Sequence, residues 1–98
     1  RDRFDIIYSI IPKTLKNIGE KKGGKTVDIG LGGIKVLGEI VGEIGDIIKI
    51  EINPNRINSM ILFGQIKWIK KENSSGQFGL EFIGLKEDEL EALKSLIK

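Results

Sequence analysis

Cysteine and histidine are both absent from this 98-residue chain. Without cysteine there are no disulfides, thiolate nucleophiles or thiolate metal ligands. Without histidine as well, the usual zinc sites and the Ser-His-Asp and Cys-His nucleophile systems cannot be assembled. Aromatic residues make up 6% of the chain, with a single tryptophan. Few aromatics and no basic stripe weaken the reading of a small RNA-binding barrel. A net charge of +2 is too small to argue for nonspecific nucleic-acid binding. No apolar run approaches the roughly 20 residues that span a bilayer, and no secretory signal is visible, so membrane insertion is not expected.

What is present fits one ordinary globular domain over residues 1–98: 40% hydrophobic, 31% charged, and long enough for a single core. The chain begins with arginine rather than methionine, which we read as a piece of a longer polypeptide. Arginine itself is scarce: Arg1, Arg3 and Arg56 stand against thirteen lysines. Lysine is the usual solvated surface charge, whereas the planar arginine fork suits phosphates and guanine edges. Arg1 and Arg3 are therefore candidates for anion recognition, beside the simpler reading of a charged terminus.

The hydrophobic pattern is mostly period two. Asp5 to Ile11 is an apolar, β-branched run closed by Pro12 and predicts a first strand. Lys13 to Lys25 is lysine- and glycine-rich and reads as a connection, with room for a short helical turn. Lys25 to Ile29 and Ile34 to Leu37 read as two strands around a glycine corner. Ile47 to Ile52 places Ile48, Ile50 and Ile52 on one face and Lys49 and Glu51 on the other. Asn53-Pro54-Asn55 is a turn. Met60 to Lys70 reads as a long strand with Leu62, Ile66 and Trp68 on one face and Gln65 and Lys67 opposite, which assigns Trp68 to the core rather than to a stacking platform. Asn73 to Gly76 is a loop, and Gln77 to Ile83 turns Phe78, Leu80 and Phe82 inward. Leu90, Leu93 and Ile97 then recur at helical spacing behind Glu87, Asp88 and Glu89, anions suited to a helix start. Six strands joined in sequence and then one amphipathic helix predict an all-β-dominated fold, a six-stranded antiparallel barrel with the helix over an open end or face.

The corner itself, Asp28-Ile29-Gly30-Leu31-Gly32-Gly33, sets a carboxylate ahead of three glycines. Glycine admits positive φ and close backbone approach, so the segment reads either as a bulge or turn that redirects the chain or as a corner that meets a ligand. Upstream, Gly19 to Thr26 satisfies the phosphate-loop pattern G-x-x-x-x-G-K-S/T, but that loop must follow a buried strand and open a helix. Here Val27 and Ile29 continue as a strand, which leaves a solvated hairpin connection. The carboxylates Glu39, Glu43 and Asp46, and those of the helix, are not set among apolar residues that would raise a pKa for acid–base work. No catalytic or metal-binding set emerges, and the chain is read as a non-enzyme.

In this order the features resemble the PilZ domain, the cyclic di-GMP receptor module of bacteria, over almost the whole chain. Asp28 to Gly33 is similar to the family's D/N-x-S-x-x-G corner, with Gly30 where serine is usual. Gly64-Gln65-Ile66-Lys67-Trp68 resembles its G-x-V-x-W strand. Phe78-Gly79-Leu80-Glu81-Phe82 resembles the strand that precedes the family's acidic-headed helix. The family's R-x-x-x-R signature fits in two registers. In one, Arg3 is the second arginine and the first lies two residues before Arg1. In the other, Arg1 is the first and Asp5 stands where the second should be. Strand alternation favours the former.

The resemblance implies a non-catalytic, cytoplasmic domain that binds cyclic di-GMP as ligand, needs no cofactor, and relays the signal to a partner protein or fused domain of a motility, pilus or exopolysaccharide system. It assigns ligand contacts to Arg1, Arg3, Asp28, Gly30 and Gly33. An arginine arm would fold over the ligand, with Asp28 accepting from guanine amino groups and Gly33 allowing close approach. The lost serine hydroxyl at position 30 costs about 0.5–1.5 kcal/mol of binding. The alternative it leaves is a degenerate PilZ domain that holds no nucleotide and acts as a protein-interaction module in pilus or flagellar assembly.

Overall fold

A computed structural model describes residues 4–11, 20–73 and 75–97. It contains β1 (Asp5–Ile10), β2 (Lys22–Ile29), β3 (Gly33–Glu39), β4 (Ile47–Ile52), β5 (Met60–Glu72), β6 (Ser75–Ile83) and α1 (Glu87–Leu96). All strand pairings are antiparallel, and they close a barrel in the order β1-β2-β3-β6-β5-β4, with β4 returning to β1. The expected six-stranded barrel with a C-terminal helix is therefore the observed architecture. The connection from β3 to β4 leaves the wall on one side of β1 and re-enters on the other.

The interior follows from the alternation. β4 is the regular case: Ile48, Ile50 and Ile52 are buried while Lys49 and Glu51 lie on the outer face. β1 adds Ile6 and Tyr8, β3 adds Ile34 and Val36, and β6 adds Phe78, Leu80 and Phe82, all buried. Burying such side chains contributes about 1.5–3 kcal/mol each, the main term holding the wall around its core. Leu93 of α1 is also buried in this cluster, and Leu85, Leu96 and Ile97 pack against it. The helix thus joins the barrel core through one apolar stripe, with its acidic first turn at the dipole's positive end. Lys86 cannot cap through its own side chain. Instead the Glu89 carboxylate accepts a hydrogen bond from the Lys86 backbone N–H at 2.9 Å.

Several predicted boundaries move, with β3 extending to Glu39 and β5 to Glu72. β2 begins at Lys22 rather than Lys25, so Gly23 and Gly24 belong to a strand and not to the connection. For Gly24 the reason lies across the sheet. The ring of Tyr8 occupies the space that side chains at Gly24 and Gly38 would need. Its hydroxyl donates to the Glu39 carbonyl at 2.7 Å, and its ring meets Phe78 edge-on at 5.4 Å. Burial, reinforced by the Glu39 carboxylate, pushes the Tyr8 phenol up to about 12. β6 likewise starts at Ser75, which shortens the expected 73–76 loop. Lys25 and Thr26, the end of the phosphate-loop pattern, lie in β2 and open no helix. Residues 13–19 of the expected connection, where the sequence leaves room for a short helical turn, lie outside the described residues.

Candidate functional site

Two strands depart from strict alternation, and they frame one groove. In β2, Thr26 pairs with Val36 and Asp28 with Lys35, so Val27 is an extra residue opposite no partner. In β5, Ile66 pairs with Leu80 and Trp68 with Gly79, so Lys67 is extra in the same way. Each bulge shifts the following residues to the other face of the sheet. Without the first, Thr26 inside would place Asp28 inside as well. With it, Asp28 is exposed and Ile29 is buried.

The second bulge overturns the expectation that Trp68 belongs to the core. Trp68 stands on the outer wall, 39% exposed, and Ile69 takes the inward position against the core. A side chain at Gly79 would run into the five-membered ring of the indole, so the absence of one there lets the ring lie on the strand backbone.

The register then aligns Asp28 on β2, Lys35 on β3, Gly79 on β6 and Trp68 on β5 as one row across four strands. Lys35 places its ammonium 5.8 Å from the centroid of the Trp68 ring, within cation–π range. In the neighbouring row Lys67 pairs with Glu81 at 3.3 Å. These residues, with Gly30, Gly32, Gly33, Ile34 and Leu80, line an open groove of about 450 Å³. Among the described residues the Asp28 carboxylate has no ion pair or hydrogen bond, so its acceptor lone pairs are available.

The glycine corner is a hairpin tip. The Gly30 N–H donates to the Gly33 carbonyl at 2.9 Å, and the tip is tied to β6 by the Phe82 N–H donating to the Gly32 carbonyl, also at 2.9 Å. The three corner glycines serve different ends. A Cβ at Gly33 would overlap the Leu80 carbonyl, so that glycine is required by strand packing. Cβ positions at Gly30 and Gly32 are open. The corner's geometry needs no positive φ; among the described residues the left-handed glycines are Gly45 and Gly84.

Of the residues singled out in the sequence, Asp28, Gly30 and Gly33 are brought together on this groove, while Arg1 and Arg3 lie outside the described residues. Phe4, which follows Arg3, is fixed to β2 by two hydrogen bonds. Its N–H donates to Thr26 Oγ1 at 2.7 Å, and its carbonyl accepts from the Thr26 N–H at 3.0 Å. That anchor is two residues from Asp28. Lys35, Gly79 and the outward setting of Trp68 were missed. The available signal was spacing: Thr26 and Ile29, like Ile66 and Ile69, are inward residues three apart, which a regular strand does not allow. Among the described residues no cluster of metal-ligating side chains forms, and no helix is long and apolar enough to cross a membrane.

The model of the PilZ domain family matches residues 2–98. Among solved structures, the chain is similar to the Bacillus subtilis inhibitor of motility (MotI/DgrA), at 16% identity with a TM-score of 0.65. The match covers 99% of this chain and 49% of that one, so the chain spans about half the length of that protein. No curated protein sequence matches significantly.

Proposed function

The chain belongs to the PilZ domain family, and from that premise we propose that it is a non-catalytic cyclic di-GMP receptor that passes ligand binding to a partner. The observation that carries this reading is the row Asp28–Lys35–Gly79–Trp68, which offers an acceptor, a cation and an exposed π surface side by side on the outer wall. Cyclic di-GMP has matching parts: guanine amino groups that donate, phosphates, and flat bases. In this reading Asp28 accepts from a guanine and the indole carries a base face, an interaction worth about 1–3 kcal/mol. Arg3 stands one residue beyond the anchored Phe4. Its planar fork suits the ligand's phosphates and guanine edges, so it is the arginine this reading assigns to the ligand. The name of the similar solved structure, an inhibitor of motility, makes a motility machine the first partner class to try; pilus and exopolysaccharide systems follow.

Calorimetric titration of cyclic di-GMP into the chain tests the reading. Binding is expected, with Asp28→Ala and Arg3→Ala each weakening it severely. No heat from the folded protein up to ligand concentrations of about 100 µM would sink it.

A second reading, a PilZ domain that has lost its nucleotide and acts as an interaction module, is favoured by two observations. Gly30 supplies no hydroxyl, and Phe63 and Ile83 are exposed cross-strand neighbours on the outer wall, with Ile61 beside them. A folded chain silent to nucleotide, yet losing its partner on Phe63→Ser, would establish it.

A further inference from the structure

The groove's charges do not cancel in pairs. Lys67 is committed to Glu81. Lys35 has no carboxylate partner among the described residues, although Asp28 stands directly opposite it in the β2–β3 register. Its ammonium instead lies over the Trp68 ring. Gly79 already packs its backbone against the five-membered part of that ring, so the ammonium and an incoming base contend for the same remaining indole surface.

We infer that Lys35 is a transferable cation, held on Trp68 in the free protein and handed to a ligand phosphate when a base takes the indole. This deepens the receptor reading and rests on it. The exchange makes the groove selective for ligands that carry base and phosphate together. An uncharged nucleoside would have to displace the ammonium without offering it an anion. A lone phosphate would draw the ammonium off the ring and leave the indole bare. A nucleotide does both at once, replacing the cation–π contact with a charge-assisted hydrogen bond, the stronger of the two. Lys35 would in this way help to decide which ligands bind.

Trp68 is the chain's one tryptophan, so its fluorescence reports the exchange directly. Cyclic di-GMP and guanosine are titrated into the wild-type chain, Lys35→Met and Lys35→Arg at low and high salt. Lys35 faces outward, and methionine keeps most of its unbranched stem while removing its charge. The expected result is that Lys35→Met weakens cyclic di-GMP binding about tenfold or more at low salt, with the gap narrowing at high salt. Lys35→Arg should restore most of the affinity, and guanosine should bind Lys35→Met no more weakly than the wild type. Wild-type binding that Asp28→Ala weakens but Lys35→Met leaves unchanged at both salts would overturn the role of Lys35 and spare the receptor reading. Absence of binding by the wild type would overturn both.

Discussion

The two halves of the barrel wall are built to different rules. On the β1–β4 side each register step advances one residue on both strands, and the faces never exchange. On the side where β2 and β5 flank the β3–β6 pair, two single-residue bulges break the count and turn Asp28 and Trp68 outward. The regular half converts alternation into core. The bulged half diverts residues that alternation alone would bury and assembles them on the surface. Bulges cost local pairing, and they gather where a side chain has to be re-aimed. Here both lie beside the same groove.

Deletions test the difference most severely. Removing Lys49 from the middle of β4 would exchange the faces, exposing Ile50 and Ile52 or their neighbours and turning Glu51 inward. The loss should exceed about 5 kcal/mol, comparable to the whole stability of a small domain. Circular dichroism should then show no cooperative unfolding. Removing Lys67 instead deletes the unpaired residue and leaves Ile66 in, Trp68 out and Ile69 in, so that variant should remain folded. Equal damage from the two deletions would erase the distinction drawn between the halves.

Truncations come next. Ile50→Ala should cost about 2–5 kcal/mol in urea unfolding, as deletion of fully buried aliphatic groups does. Trp68→Ala, despite removing a larger side chain, should cost distinctly less and act on ligand binding. Equal losses would return Trp68 to the core.

A smaller effect is expected at Tyr8→Phe, which deletes the hydrogen bond to the Glu39 carbonyl and should cost about 1 kcal/mol. It also carries a pH signature. The folded phenol holds its proton up to about 12, above the ordinary value of 10.0. Between those values the unfolded state binds fewer protons, so this contribution is intact below pH 10 and is lost as pH rises towards 12. The stability difference between wild type and Tyr8→Phe, measured by urea unfolding across that interval, should shrink.

The smallest effect is at the groove. Space around Gly30 is open, so Gly30→Ser should leave stability unchanged while supplying one hydroxyl. Cyclic di-GMP affinity should rise about two- to tenfold by calorimetry. No gain would mean that the ligand does not approach this corner.

The same contrast explains what could be read from the residues alone. Ile48, Ile50 and Ile52 announce β4 because a regular strand writes its faces directly into the sequence. Phe78, Leu80 and Phe82 do the same for β6. Gly24 misled because its reason is the Tyr8 ring, supplied by a strand more than a dozen residues away. Trp68 misled because two apolar residues, Trp68 and Ile69, contend for one inward position, and only the pairing with Gly79 decides between them. At the corner, Asp28 was found by its place in a motif. Lys35 carries no local mark at all, since its significance is an indole contributed by β5.

Closure of the wall has one further consequence. In the six-stranded ring every strand has a neighbour on both sides, so among the described residues little backbone is left for another chain to extend, the exception being the end of β5 beyond Gln65, where the pairing with β4 stops. Away from that end, a partner has to recognise side chains on the outer wall. The same closure limits strand-to-strand aggregation of a chain with 13 glycines and extensive β structure.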